Sequence, residues 1–143
     1  MESQSPRGAA RVLIVEDDAS LRRLLEMRLS VDGYETRIAA DGVAALAQLR
    51  TWIPDVVVTD VMMPRLSGLS LCRAMRADAR TAATPIILLT ARCFDEDIQA
   101  AVELGGVTFM NKPFDAHALD SALREALRDA FPIPQTQGVD TRD

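Results

Sequence analysis

Five short apolar runs, each followed by a stretch whose apolar residues recur at helical spacing, set the pattern of this chain. The first, Arg11–Val15 (RVLIV), is continuous and β-branched, which suits a strand buried on both faces. It stops at three consecutive acids, Glu16, Asp17 and Asp18. Leu21, Leu24, Leu25 and Leu29 then share a helical face, with Ser20 as the expected cap and Asp32-Gly33 as the stop. Tyr34–Ala39 predicts a short strand, and Asp41-Gly42 opens a helix carrying Val43, Leu46, Ala47 and Leu49. Pro54-Asp55 turns the chain into a second strongly apolar strand, Val56-Val57-Val58-Thr59-Asp60. The alternation continues with a helix over Leu66–Ala79 (Leu69, Cys72 and Met75 inward) and a strand over Pro85–Thr90. A helix over Phe94–Leu104 follows, with Ile98, Ala101 and Val102 on one face and a stop at Gly105-Gly106. Val107–Met110 is the last strand, and the final helix runs through Leu119, Leu123 and Leu127.

Strict βα alternation with buried strands predicts an α/β fold, a parallel sheet with helices on both faces. A length of 143 residues suits one domain. We place it at 11–131, between a polar leader (1–10) and a tail (132–143) rich in Pro, Gln, Thr and Gly and too short to be an output domain. Hydrophobic residues at 48% and charged residues at 26% describe a globule rather than a disordered chain. No apolar stretch approaches the roughly 20 residues of a membrane helix, and no secretory leader opens the chain, so a cytoplasmic protein without membrane insertion is expected. Two cysteines do not make a disulfide scaffold. A net charge of −5 without a Lys/Arg stripe disfavours direct nucleic-acid binding. Of the 16 basic residues only one, Lys112, is a lysine.

Ligands of open parallel sheets bind outside the carboxyl ends of the strands. Those ends here are Glu16-Asp17-Asp18 on the first strand, Asp60 on the third, Thr90 on the fourth and Lys112 on the fifth. Carboxylates from adjacent strand ends repel by about 4 kcal/mol at 4 Å in a medium of effective dielectric 20, so a cation or a proton must neutralise them. Hard oxygen donors suit Mg²⁺, and a nearby hydroxyl and ammonium complete a cradle for a phosphoryl group. The residues alone therefore point to a Mg²⁺-dependent phosphoryl site with a carboxylate nucleophile.

The segments VLIVEDD (12–18), PDVVVTDVMMPRLSG (54–68), PIILLTA (85–91) and NKPF (111–114) together resemble the receiver domain of two-component response regulators, of the chemotaxis-receiver type. The resemblance covers about Arg11 to Phe131 and implies the flavodoxin-like (βα)5 three-layer sandwich, with strand order 2-1-3-4-5. It implies that Asp60 accepts a phosphoryl group from a histidine kinase or histidine phosphotransfer protein. Mg²⁺ would then be held by Glu16, Asp17, Asp60 and the backbone carbonyl of Met62, with Asp17 the more direct ligand and Asp18 solvated or capping. Lys112 would hold the phosphoryl oxygens, Thr90 and Phe109 would form the switch pair, and Lys112-Pro113 would be cis. The product would be a changed affinity for a downstream protein.

The chain departs from the family pattern in two places. Arg65 stands where a loop glycine is frequent. Gly105-Gly106-Val107-Thr108 replaces a frequent Gly-Ala-Asp-Asp, removing acids that join ion pairs across a dimer face in members with winged-helix outputs. Other residues read as structural: Met62 and Met63 as apolar loop packing, Cys72 as core, Cys93 as an ordinary thiol, and His117 as exposed in the last helix's first turn. Arg22 and Arg23 read as a solvated helix face or part of a kinase-docking surface. Three function classes compete: a phosphoacceptor signalling protein, stand-alone or cut from a longer regulator; an aspartyl-phosphate phosphatase; and an unphosphorylated scaffold. The phosphatase wants a general acid two residues past the nucleophile, where Met62 stands. The scaffold has no use for Asp60, Thr90 and Lys112 together. The expectation is a signalling protein that can release its own phosphoryl group, not a dedicated turnover enzyme.

Overall fold

The computed structural model describes residues 8–63, 65–91 and 95–128. The five strands are β1 (Arg11–Val15), β2 (Glu35–Ala39), β3 (Val56–Asp60), β4 (Ile86–Thr90) and β5 (Val107–Asn111). They alternate with α1 (Ala19–Val31), α2 (Gly42–Leu49), α3 (Gly68–Ala77), α4 (Asp95–Leu104) and α5 (Ala116–Ala126). All strand pairs are parallel, as the pattern predicted, and the order is β2-β1-β3-β4-β5, as the family resemblance implied. β3 and β4 are buried at every position, because helices cover both faces. The edge strands β2 and β5 are only partly covered, and β2 accordingly carries Glu35, Thr36 and Arg37.

The alternating pleat divides the core in two. Leu13, Val15, Val57, Ile86 and Leu88 pack with Ala45, Leu49, Leu71, Cys72, Met75 and Ala101 from α2, α3 and α4. Val12, Ile14, Val56, Val58, Ile87 and Leu89 pack with Leu25 and Leu29 of α1 and with Leu119, Leu123 and Leu127 at α5. At the N-terminal end of the sheet Trp52 is 4% exposed, flanked by the guanidinium groups of Arg11 and Arg37 at 5.3 and 4.9 Å from its ring centre.

Several helical details differ from the sequence reading. α1 is capped by Asp18, one of the two roles expected of that residue, and not by Ser20: the carboxylate accepts the N–H groups of Ser20 and Leu21. Leu24 is 62% exposed, because the core-facing stripe of α1 is the narrower one through Leu25 and Leu29. In α2 the buried positions are Ala45 and Leu49, while Val43 and Ala47 face outward. α3 begins two residues later than predicted, where Ser67 caps it, and ends at Ala77 rather than Ala79; Leu71 takes the fully buried place assigned to Leu69. Phe94 and the side chains of Ile98 and Val102 lie outside the described residues.

Gly68 opens α3 because a Cβ there would sit 2.1 Å from the carbonyl oxygen of Asp60. Its N–H also donates to the carbonyl of Val61 (2.9 Å), which fixes α3 against the end of β3. Gly33, by contrast, has φ of +100° with open space around it. Gly33→Ala should therefore cost only the left-handed penalty of about 1–2 kcal/mol. Gly68→Ala should cost about 3 kcal/mol or more by overpacking and should also displace Asp60. Chemical denaturation of both variants checks the order, and equal losses would contradict the close approach.

Candidate functional site

The acidic run after β1 splits into three roles. Glu16 turns inward and is 1% exposed, Asp17 stays exposed, and Asp18 caps α1 while its N–H donates to Glu16 Oε2 (3.1 Å). Asp60 ends β3 at 7% exposure, beside β1 in the sheet. Glu16, Asp17 and Asp60 each offer a carboxylate oxygen within 4.8 Å of the others. Lys112 follows β5 and is anchored by its N–H to the Thr90 carbonyl (2.7 Å) and by a cis bond to Pro113. From that far strand its ammonium reaches over β4 to Glu16 Oε1 (3.1 Å) and Asp60 Oδ1 (3.2 Å). Thr90, 2% exposed, ends β4 between these groups. The sheet thus delivers every strand-end residue singled out in the sequence to one rim.

Electrostatically the rim is short of positive charge. Burial pushes the Asp60 carboxyl above its ordinary range; Lys112 opposes the shift and Asp17 adds to it. Burial likewise raises Glu16, against hydrogen bonds from the Asp18 N–H and Lys112 and with a further push from Asp60. For Lys112 burial works against the ammonium, but hydrogen bonds to Glu16 and Asp60 outweigh it and the net shift is upward. Three carboxylates against one ammonium, all oxygen donors, fit a hard divalent cation of the Mg²⁺ kind.

Neighbouring loops brace this rim in ways the sequence did not reveal. Arg65 adopts φ of +68°, so the position does require the left-handed backbone that glycine usually supplies. Its guanidinium pairs with Asp41, whose side chain is 5% exposed and whose other oxygen caps α2 at the Ala44 N–H (2.8 Å). Arg22, read as a solvated face or docking residue, is half-buried and donates to the Glu16 carbonyl (2.9 Å); Arg23 remains exposed. No sequence periodicity signals either contact: Arg65 joins two loops, and Arg22 reaches back from α1 to the residue after β1.

The two methionines part company. Met63 packs on the core beneath α2 and α3, as expected of loop packing, but Met62 is 69% exposed and does not. Phe109 is partly buried against the same core cluster. His117 is exposed at the start of α5, and Cys72 is a buried thiol pushed up to about 11 by burial. Cys93 lies outside the described residues.

Fold and rim together define an α/β module with a doubly wound sheet that carries carboxylates, a hydroxyl and a lysine on its C-terminal edge. The chain belongs to the response regulator receiver domain family, whose model matches residues 12–124. It is 39% identical over 97% of its length to the probable transcriptional regulator ycf27 of Pyropia yezoensis, covering 54% of that protein. It is 37% identical to the DNA-binding response regulator MtrA of Mycobacterium tuberculosis, over 82% of this chain and 50% of that protein. The chain thus spans about half the length of the curated relatives it matches. Among solved structures, the chemotaxis protein CheY4 of Vibrio cholerae superposes with a TM-score of 0.80 at 34% identity, covering 84% of this chain and all of that one. Among the described residues, no helix is long and apolar enough to cross a membrane.

The raised carboxyl groups predict a specific pH dependence without metal. A group whose folded pKa lies above its unfolded value stabilises the fold below the unfolded value, and that contribution is lost as pH rises through the folded one. Asp60 and Glu16, with ordinary values of 3.8 and 4.5, are of this kind. Metal-free Asp60→Asn should therefore be more stable than wild type at neutral pH, with the advantage shrinking as pH falls towards the ordinary carboxylate range. Denaturant titrations in chelator across that range test it, and a less stable Asp60→Asn at neutral pH would count against the repulsion.

Proposed function

We propose that this chain is a phosphoacceptor of a two-component phosphorelay: Asp60 takes a phosphoryl group from a histidine kinase or histidine phosphotransfer protein. The observation carrying this reading is that Lys112 bridges Glu16 and Asp60 beside Asp17, at the C-terminal rim of a receiver fold. Glu16, Asp17, Asp60 and the Met62 carbonyl would hold Mg²⁺, which supplies neutralisation of carboxylate and phosphoryl charge when bound. An Asp60 oxygen attacks phosphorus, the new O–P bond forms, and the P–N bond to the donor imidazole breaks. Lys112 then exchanges its contact with Asp60 for a phosphoryl oxygen, and the Thr90 hydroxyl donates to another. The added charge, about −1.5 to −2, biases Thr90 and Phe109 and so the α4–β5–α5 surface that a downstream protein reads.

Incubation with a small acyl phosphate and Mg²⁺ should add one base-labile phosphoryl group, and Asp60→Asn should add none. Thr90→Ala should still be labelled yet lose most of the phosphorylation-dependent change in partner affinity, measured on the same samples. Labelling of Asp60→Asn at another residue would move the acceptor, and an intact response in labelled Thr90→Ala would remove Thr90 from the transmission route.

The donor histidine must come within bonding distance of Asp60, so its protein must dock beside the rim. A groove of about 500 Å³ there is lined by Leu21, Leu24, Leu25, Lys112, Pro113 and Phe114, among others, and Leu24 and Met27 on α1 stand 62% and 60% exposed. This apolar face fits a helical donor domain. Leu24→Glu should slow transfer from the protein donor at least about tenfold, the cost of one lost apolar anchor, and leave labelling by the small donor unchanged. Equal slowing with both donors would place Leu24 in the fold rather than the interface.

The half-length match to regulators such as MtrA favours a second reading, in which this receiver serves a longer DNA-binding protein. Sizing the native gene product by immunoblot separates the two. We place the domain in the cytoplasm and assign it no direct contact with nucleic acid, on its net charge of −5. Signalling rather than turnover fits the exposed Met62, which offers no general acid beyond Asp60.

A further inference from the structure

Arg22 and Arg23 are neighbours on α1, but Arg22 is half-buried while Arg23 is exposed. Arg22 lies in the first turn, its own N–H bonded to the Asp18 carbonyl (2.9 Å), and its guanidinium reaches back to donate to the Glu16 carbonyl (2.9 Å). That carbonyl belongs to the peptide group joining Glu16 to Asp17. On one side of this peptide the Glu16 carboxylate turns in to Lys112; on the other the Asp17 carboxylate stays at the outer face of the acidic cluster. The orientation of one peptide plane thus sets how the two adjacent carboxylates diverge. Asp18 cannot set it alone, because its carboxylate is committed to the Ser20 and Leu21 N–H groups.

We propose that Arg22 is a positioning residue for the divalent-cation pocket, holding the Glu16–Asp17 peptide so that both carboxylates and Asp60 face one ion. The inference rests on the reading of that pocket as a Mg²⁺ site. Two effects of Arg22 oppose each other and so can be told apart. Its positive charge near the pocket repels a cation, so loss of charge alone would tighten Mg²⁺ binding. Its hydrogen bond orders the ligands, so loss of the bond weakens binding, as removal of groups that orient metal ligands does elsewhere.

Calorimetric titration with MgCl₂ on wild type, Arg22→Met, Arg22→Lys and Arg23→Met decides between them. Arg22→Met should bind Mg²⁺ about tenfold more weakly. Arg22→Lys, which keeps a donor, should recover part of the loss, and Arg23→Met should match wild type. Amide exchange at Asp17 and Asp18 in chelator should be faster in Arg22→Met, with unchanged exchange in the β3 and β4 core showing an intact fold. Labelling by a small acyl phosphate, which uses no docking surface, should slow in Arg22→Met and not in Arg23→Met. Wild-type-like or tighter Mg²⁺ binding by Arg22→Met, or unaltered exchange at Asp17, overturns the proposal while leaving the pocket's function standing. Absence of saturable Mg²⁺ binding by wild type overturns both.

Discussion

Three carboxylates held within 4.8 Å of one another, with a single ammonium bridging two of them, form the arrangement on which the rest of the structure depends. Left to themselves Glu16, Asp17 and Asp60 would separate or take up protons, and burial worsens the conflict by raising both Glu16 and Asp60. Covalent topology keeps them together. Glu16 and Asp17 follow β1, Asp60 ends β3, and these strands are neighbours whose registers are fixed by fully buried apolar pairs such as Ile14 with Val58. The core, formed by burial of apolar surface, thereby holds a polar cluster that is unfavourable on its own.

That cost is located where a cation would relieve it. A site whose charge is unbalanced before binding responds strongly when charge is added, and in the proposed function Lys112 is the counter-charge that would move. Lys112 is 22% exposed in its side chain and crosses the width of two strands, so it can change partner without disturbing the sheet. The fixed part of the site is its backbone: the Lys112 N–H on the Thr90 carbonyl and Gly68 against Asp60 tie β5 to β4 and α3 to β3.

Arginines brace loops at both ends of the sheet, Arg65 and Arg22 at the C-terminal rim and Arg76 at the opposite end. Arg65 joins the β3–α3 loop to the cap of α2, and Arg76 of α3 donates to the carbonyls of Thr81, Gly105 and Gly106, joining the loops before β4 and β5. The guanidinium suits this task, since it offers several donors in a rigid plane and keeps its charge when half-buried. The arginines that make up almost all of the basic residues thus have structural uses at both ends of the sheet, with Arg65 and Arg22 beside the site.

The sequence by itself determined the five βα units, the parallel sheet and the residues at its C-terminal rim. Apolar runs of five residues between turn signals admit few alternatives, and polar residues ending such runs must surface at one edge. Strand order followed from the family resemblance, and the structure agrees with it. What only the tertiary structure decided were contacts that no periodicity along the chain signals. Asp18 rather than Ser20 caps α1, because the turn after β1 places its carboxylate over the first free N–H groups. Arg22 turns inward and Arg23 does not, although the two are chemically identical, because the helix phase relative to β1 carries only the former back over the Glu16 carbonyl. Met62 and Met63 likewise read as one apolar pair, yet the bend after Asp60 exposes the first and packs the second, partly buried, against the core. Local pattern fixes what a residue can do; the packing of one element against another fixes which atom it meets.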